Sequence, residues 1–228
     1  AKADNVASYF KMIEGDEDAI EKLKKFLTIN VSEFFRDAEQ FSQFKSLILP
    51  DLLKNSHNLR IWSAGCSYGA EAFTLAMILE EISPGQRHRI LATDIDTGAL
   101  SRAQSGGPFK APELRNVDRR LLAKHFAKSG EDYLLSERLL RRVGFRRQDL
   151  FGVDFEREFD LVLCRNVVIY FSDEAKTKLN LKFVRSLKDD GVMFIGATES
   201  MLDAREVGLT KITSAFYRKL PVTVLRTD

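Results

Sequence analysis

Short apolar runs separated by amphipathic stretches dominate the chain from Leu59 onward. Residues 59–64 form the first run, and residues 89–93, 159–164 and 192–197 follow. Each is too short for a helix and lacks polar alternation, a pattern that predicts strands buried on both faces. Between the runs, apolar residues recur at helical spacing. One such stretch passes through Leu75, Met77, Ile78 and Leu79 before Pro84-Gly85 breaks it, and another covers residues 173–187. Strands alternating with helices predict an α/β fold with a parallel sheet covered on both sides.

Two regions depart from this rhythm. The opening stretch to about Leu53 reads as helical. Asp16 is placed to cap a helix carrying Ala19, Ile20, Leu23, Phe26 and Leu27 on one face. A second pattern through Phe34, Phe35, Phe41, Phe44, Leu47 and Ile48 is expected to stop at Pro50. Between Gln104 and Gln148 residues 121–126 look helical, while residues 133–135 and 143–145 look like short strands around a charged turn. They predict a small subdomain inserted at about residues 107–147. The predicted organisation is a helical segment over 1–53 and a sheet domain over 54–228 that ends in a strand at 215–219.

Composition narrows the class. A chain of 228 residues can bury a core without disulfides or metals. With 44% hydrophobic and 30% charged residues it is an ordinary globular composition. A net charge of +2 argues against a general nucleic-acid binder. Cys66 and Cys164 do not make a disulfide framework and fit a reducing cytoplasm. No apolar run is long enough to span a bilayer, and the start does not read as a secretory leader. His57, His88 and His125 lack metal-ligand spacing, so no metal is expected.

Three strand ends carry candidate chemistry. In open parallel sheets ligands bind outside the carboxyl ends of the strands. The first run ends in Gly65-Cys66-Ser67-Tyr68-Gly69, where glycine lets the backbone approach a ligand. It lacks the G-x-G-x-x-G spacing of nicotinamide enzymes, and by itself is equally a tight turn. The second run ends in Asp94-Ile95-Asp96; a carboxylate there can accept from both ribose hydroxyls, or cap the next helix. The third is Cys164-Arg165-Asn166-Val167-Val168-Ile169-Tyr170-Phe171, where Arg165 and Asn166 interrupt a run that a plain core would keep apolar. Tyr170 is either a core aromatic or a hydroxyl at the rim.

These stretches, with Asn30-Val31-Ser32-Glu33-Phe34-Phe35-Arg36-Asp37, Trp62-Ser63-Ala64-Gly65-Cys66-Ser67, Ala92-Thr93-Asp94-Ile95-Asp96 and Gly196-Ala197-Thr198-Glu199-Ser200, resemble the CheR family of chemotaxis receptor (protein-glutamate) O-methyltransferases. The resemblance covers about residues 28–220. It implies a Rossmann-like class I S-adenosylmethionine-dependent methyltransferase sheet, with a short helical N-terminal domain and a small inserted β-subdomain. It implies methyl transfer from S-adenosyl-L-methionine to glutamate carboxylates on cytoplasmic helices of methyl-accepting chemotaxis proteins, leaving S-adenosyl-L-homocysteine. It further implies a cytoplasmic monomer without membrane insertion or nucleic-acid partner.

The family pattern also implies roles. Asn30, Ser32 and Arg36 match the segment that reaches the cofactor, Ala64 and Gly65 the first-strand turn, and Glu71 a cofactor-contacting glutamate. Asp94 matches the ribose acid, with Ile95 beside it; Asp149 and Leu150 match the adenine side; Arg165 and Asn166 match the methionine end. Arg36 and Tyr170 match the catalytic residues. Phe34 and Phe35 read as core.

The chain departs from the family where Ser-Thr-Gly-Glu-Glu-Pro-Tyr is usual. Here Ser67-Tyr68-Gly69-Ala70-Glu71-Ala72-Phe73 keeps only the second glutamate and puts a phenol at Tyr68. Only 29 residues precede Asn30, fewer than the family's helical domain has. The alternative reading is therefore a CheR-like module that holds cofactor weakly and acts by docking. Arg119, Arg120, Lys124, Lys128, Arg138, Arg141, Arg142, Arg146 and Arg147 are either a solvated face or a docking surface for an acidic receptor segment.

Overall fold

A computed structural model describes residues 6–16, 19–20, 32–152, 155–201 and 204–221; the side chains of Val6, Ala7 and Tyr170 lie outside that description. The chain divides into two compact units, 1–31 and 32–228. The first contains helix α1 (Val6–Ile13). Beyond it the Asp16 carboxylate accepts the Ala19 N–H at 3.0 Å, the bond expected of a helix cap. Leu23, Phe26 and Leu27 of the expected apolar face lie outside the described residues.

In the second unit, α2 (Ala38–Gln43) runs through a π-turn (Phe44–Ile48) into α3 (Leu49–Asn55). Periodicity alone ends this helix at Pro50, but the structure carries it on to Asn55. Proline has no N–H to donate to the preceding turn, and the wider π-turn absorbs the missing bond. Of the helical segment expected over 1–53, residues 32–53 fall in the same compact unit as the sheet. Phe34, Phe41, Phe44, Ile48 and Leu49 join the same core cluster as Phe194 and Phe216 of the sheet.

The sheet elements follow as β1 (Arg60–Ala64), α4 (Ala70–Ile82), β2 (Arg89–Asp94) and α5 (Thr97–Gln104). An insertion comprises β3 (Phe109–Lys110), a 3-10 turn (Ala111–Leu114), α6 (Arg119–His125), β4 (Phe126–Ser129), β5 (Asp132–Leu135) and α7 (Glu137–Leu140). Then come β6 (Val143–Arg147), β7 (Phe159–Cys164), a 3-10 turn (Val168–Tyr170) and α8 (Asp173–Ser186). The described chain ends with β8 (Leu187–Ile195), β9 (Leu209–Lys211) and β10 (Phe216–Lys219).

Seven strands form one sheet in the order β6-β2-β1-β7-β8-β10-β9, and β3-β5-β4 form a second. β6, β2, β1, β7 and β8 are parallel, while β10 runs antiparallel to both its neighbours. Strand order reverses on either side of β1, a doubly wound topology with its switch point between β1 and β7. This is a Rossmann-like sheet with an antiparallel strand added near one edge. Residues 143–147 correct the sequence expectation: they are not part of the insertion but pair with β2 from Ile90↔Val143 to Asp94↔Arg147.

Both sheet faces are dry because successive side chains point to opposite sides. Ile61, Leu161, Leu163, Val192 and Phe194 face one cluster with α4, while Trp62, Val162, Cys164, Met193 and Ile195 face the other. α8 covers the second face with Leu179, Phe183 and Val184; it starts at Ser172, whose hydroxyl accepts the Ala175 N–H, and carries Asp173 and Glu174 in its positive first turn. Phe34 links the insertion to the first face, packing edge-on against Phe109 and Phe126 at 5.0 and 5.2 Å. Its full burial stabilises the fold by about 1.5–3 kcal/mol. Among the described residues no helix is long and apolar enough to cross a membrane.

Candidate active site

The carboxyl ends of β1, β2, β6, β7 and β8 share one edge of the sheet, and the candidate residues gather there. The Gly65 and Cys66 N–H groups donate to the Thr93 carbonyl at 2.8 and 3.0 Å, pulling the β1 turn against β2. Gly65 has φ +77°, and a Cβ there would lie 2.4 Å from Val167 Cγ2. Only glycine fits, because the Val167 side chain packs against the backbone there. Gly69, also left-handed at φ +87°, opens α4 and sets Glu71 in its first turn.

Asp94 is the carboxylate of the β2 end. Its Oδ2 accepts the Ser67 N–H at 2.7 Å and its Oδ1 the Asp96 N–H at 2.9 Å. Two amides thus fix its orientation, and each oxygen keeps a further lone pair. Burial pushes its pKa up despite those amides. Asp96 instead caps α5, accepting from Gly98 N and Ala99 N at 2.8 and 3.1 Å. Ile95 between them is 52% exposed at the rim.

At the β6 end, the Gln148 N–H donates to the Asp94 carbonyl at 2.9 Å, bringing Asp149 and Leu150 to the same edge. Asp149 Oδ1 accepts the Phe151 N–H at 2.8 Å. Lys182 on α8 donates to the Leu150 and Gly152 carbonyls at 3.1 and 2.9 Å, anchoring this loop to the second face.

Arg165, expected at the methionine end of the cofactor, makes its hydrogen bonds to the protein and keeps its Nε buried without a partner. Its side chain is 2% exposed and turned into the protein. Nη2 donates to Asp37 at 2.8 Å, Gln40 Oε1 at 3.0 Å and the Arg36 carbonyl at 3.1 Å. Nη1 donates to Glu71 Oε2 at 3.2 Å, while Ser63 donates to Glu71 Oε1 at 2.7 Å. The guanidinium also lies over Phe194 and Phe41, 4.6 and 5.1 Å from the ring centres. Arg165 therefore clamps residues 36–40, with Asp37 left-handed at φ 58°, to β7 and α4. Asp37 and Gln40 were missed as site-building residues. The only signal was an unexplained polar pair beside Arg36.

Glu199 lies in the Gly196–Ser200 segment past β8, and residue order alone marks no role for it. It is 8% exposed, and its Oε2 accepts the Gly196 N–H at 2.6 Å just past β8. The Asn166 N–H donates to the same carboxylate, and burial raises its pKa. Asn166 is held left-handed at φ 59°. Tyr170 ends the turn that follows, with its side chain outside the described residues. Asn30 lies outside them too.

Tyr68 does not crowd this edge. It is 4% exposed, its ring lies under the Arg102 guanidinium at 4.3 Å, and its hydroxyl donates to the Ser32 carbonyl. The phenol is core, and it ties Ser32 to the β1 turn. Cys66 and Cys164 are buried, and desolvation pushes both thiols up, as fits inert packing. Several of the cations expected to form a docking surface are neutralised locally: in the insertion Lys124 and Arg138 by Glu80 at 2.9 and 3.0 Å, Arg120 by Glu81 and Arg141 by Glu137, and on β6 Arg146 by Glu156 at 2.7 Å.

The edge offers a backbone cradle at Gly65, a preset carboxylate at Asp94 and a buried, unpartnered carboxylate oxygen, Glu199 Oε1. Those features fit a nucleoside carrying a charged tail. Residues 30–216 match the family model described as CheR methyltransferase, SAM binding domain. A chemotaxis protein methyltransferase of Listeria monocytogenes is 37% identical over 213 residues, covering 92% of this chain and 80% of that protein. One from Borreliella burgdorferi is 34% identical over 230 residues, covering 94% and 80%. Chemotaxis protein methyltransferase 1 of Pseudomonas aeruginosa is 35% identical over 185 residues, covering 77% and 68%.

Proposed function

The chain belongs to the CheR methyltransferase family, S-adenosylmethionine-dependent enzymes, and on that premise we propose that it methylates glutamate side chains of chemoreceptors. The observation that carries this reading is the strand-end array, in which Asp94, Glu71, Asn166 and the Gly65 cradle stand at the switch point of the sheet.

Bound S-adenosylmethionine supplies an electrophilic methyl group on a sulfonium. The acceptor brings its own nucleophile: a glutamate, with a reference pKa of about 4.3, is a carboxylate at neutral pH and needs no general base. The protein's task is alignment and exclusion of water. In this reading Asp94 holds the ribose hydroxyls, Asp149 and Leu150 border the adenine, and Glu71 and Asn166 stand at the methionyl end. Arg165 is a positioning residue that presents Arg36, whose planar fork orients the acceptor carboxylate or the methionyl carboxylate. Tyr170, on the turn after Asn166, completes the reacting edge. The docking-only alternative rested on the altered loop. Tyr68 lies in the core, and Glu71 and Asp94 both stand on the edge, so methyl transfer is the better reading.

The test is incubation with methyl-labelled S-adenosylmethionine and a receptor cytoplasmic fragment. Transferred label should be released as methanol in mild alkali, the mark of a carboxylate ester. Alkali-stable label would rule out glutamate as the acceptor. Arg36→Ala should abolish transfer while leaving the circular dichroism spectrum unchanged; near-normal turnover would remove Arg36 from the mechanism.

A further inference from the structure

Among the carboxylates on the strand edge, Glu71, Asp94 and Glu199 are the most deeply placed, and their hydrogen-bond accounts differ. Both oxygens of Glu71 are engaged, by Ser63 and Arg165. Both oxygens of Asp94 are engaged by backbone amides at the end of β2, well along the edge from β8. Glu199 is different. Its Oε2 takes the Gly196 N–H and the carboxylate also takes the Asn166 N–H, yet Oε1 is buried without a partner. Arg165 acts on this carboxylate through its charge and its Nε is likewise buried without a partner, but its hydrogen bonds go to Glu71, Asp37, Gln40 and the Arg36 carbonyl and none reaches Oε1. Buried polar atoms in native folds almost always find a partner, so the orphan Oε1 points to a donor that the ligand brings.

The surroundings say which donor. Glu199 bridges the turns that leave β7 and β8, and Asn166 Nδ2 and Glu199 Oε2 converge over Gly196. A Cβ there would lie 3.0 and 2.6 Å from them. The site therefore admits no side chain at Gly196, and it places the carboxylate beside Asn166, the residue assigned above to the methionyl end. Of the groups on the cofactor, the ribose hydroxyls and the adenine amine belong to the β2 and β6 ends. The α-ammonium is the remaining donor, and a cation is the partner a buried carboxylate oxygen prefers.

We propose that Glu199 is a cofactor-binding residue whose free oxygen receives the α-ammonium of the methionyl moiety, while its other contacts hold Asn166 in its left-handed turn. This rests on the methyltransferase reading, and the test separates the two. Calorimetry would compare S-adenosylhomocysteine with its desamino analogue, which lacks only the ammonium, on wild type and on Glu199→Gln. A charge-assisted hydrogen bond predicts that wild type binds the desamino compound about 10- to 100-fold more weakly. Glu199→Gln should lose a similar factor for S-adenosylhomocysteine and show no further loss for the analogue.

A desamino penalty that persists undiminished in Glu199→Gln would overturn the proposal and assign the ammonium elsewhere. So would wild-type affinity in that variant, which would mean that the orphan oxygen merely holds a water. If Glu199→Gln fails to fold, Glu71→Gln carries the test: the penalty should survive there, and its disappearance would hand the ammonium to Glu71. Absence of S-adenosylhomocysteine binding by wild type would sink the methyltransferase reading itself.

Discussion

Arg165→Met removes the clamp between residues 36–40 and the sheet, and its cost can be worked from the contacts. The guanidinium is 2% exposed, and its two carboxylate partners, Asp37 and Glu71, are 32% and 14% exposed. Breaking a buried ion pair by removing one partner costs about 3–5 kcal/mol, because the other charge stays behind unpaired. Asp37 reaches water and recovers part of its hydration, so most of the loss falls on Glu71 and the Gln40 amide. Methionine keeps some contact with Phe41 and Phe194 through its sulfur, which offsets about 1 kcal/mol. The net expectation is a loss of about 3 kcal/mol, or a fall in Tm of roughly 6–12 °C for a chain of this size. Urea and thermal melts followed by circular dichroism read it directly. The companion variant Arg165→Met/Glu71→Gln removes the stranded charge and should recover at least about 1 kcal/mol. A single-variant loss below about 1 kcal/mol, or no recovery in the double variant, would refute the clamp.

Gly65→Ala should destabilise by about 2–4 kcal/mol in a thermal melt, since the new Cβ meets Val167 and the left-handed backbone resists any side chain; a Tm within a degree or two of wild type would contradict the cradle geometry. Burial raises the folded-state pKa of Asp94 above its unfolded value, so the folded state binds that proton more tightly. The destabilisation from this group is therefore full above the raised pKa and is relieved as pH falls toward about 4. Measured against Asp94→Asn, which cannot titrate, wild type should gain relative stability as pH is lowered from neutral; a flat or opposite trend would contradict the sign.

Much of the fold was legible in residue order, because strand burial and helix amphipathicity are local properties. Residues 59–64, 159–164 and 192–197 announced strands dry on both faces, and Gly65, Asp94 and Arg165 marked strand ends where a ligand belongs. What residue order could not supply was partnership. Residues 143–147 look the same as an insertion hairpin or as an edge strand, and only pairing with β2 decides between them. The helix through Pro50 survives because a π-turn next to it absorbs the missing bond. Tyr68 looked like an obstruction at the cofactor edge until the Arg102 guanidinium and the Ser32 carbonyl drew it into the core. Arg165 and Gln40 lie 125 residues apart and meet in one buried hydrogen bond. Polar side chains such as Arg165 and Glu199 take their function from whichever donors and acceptors burial leaves within reach, and three-dimensional packing sets that choice.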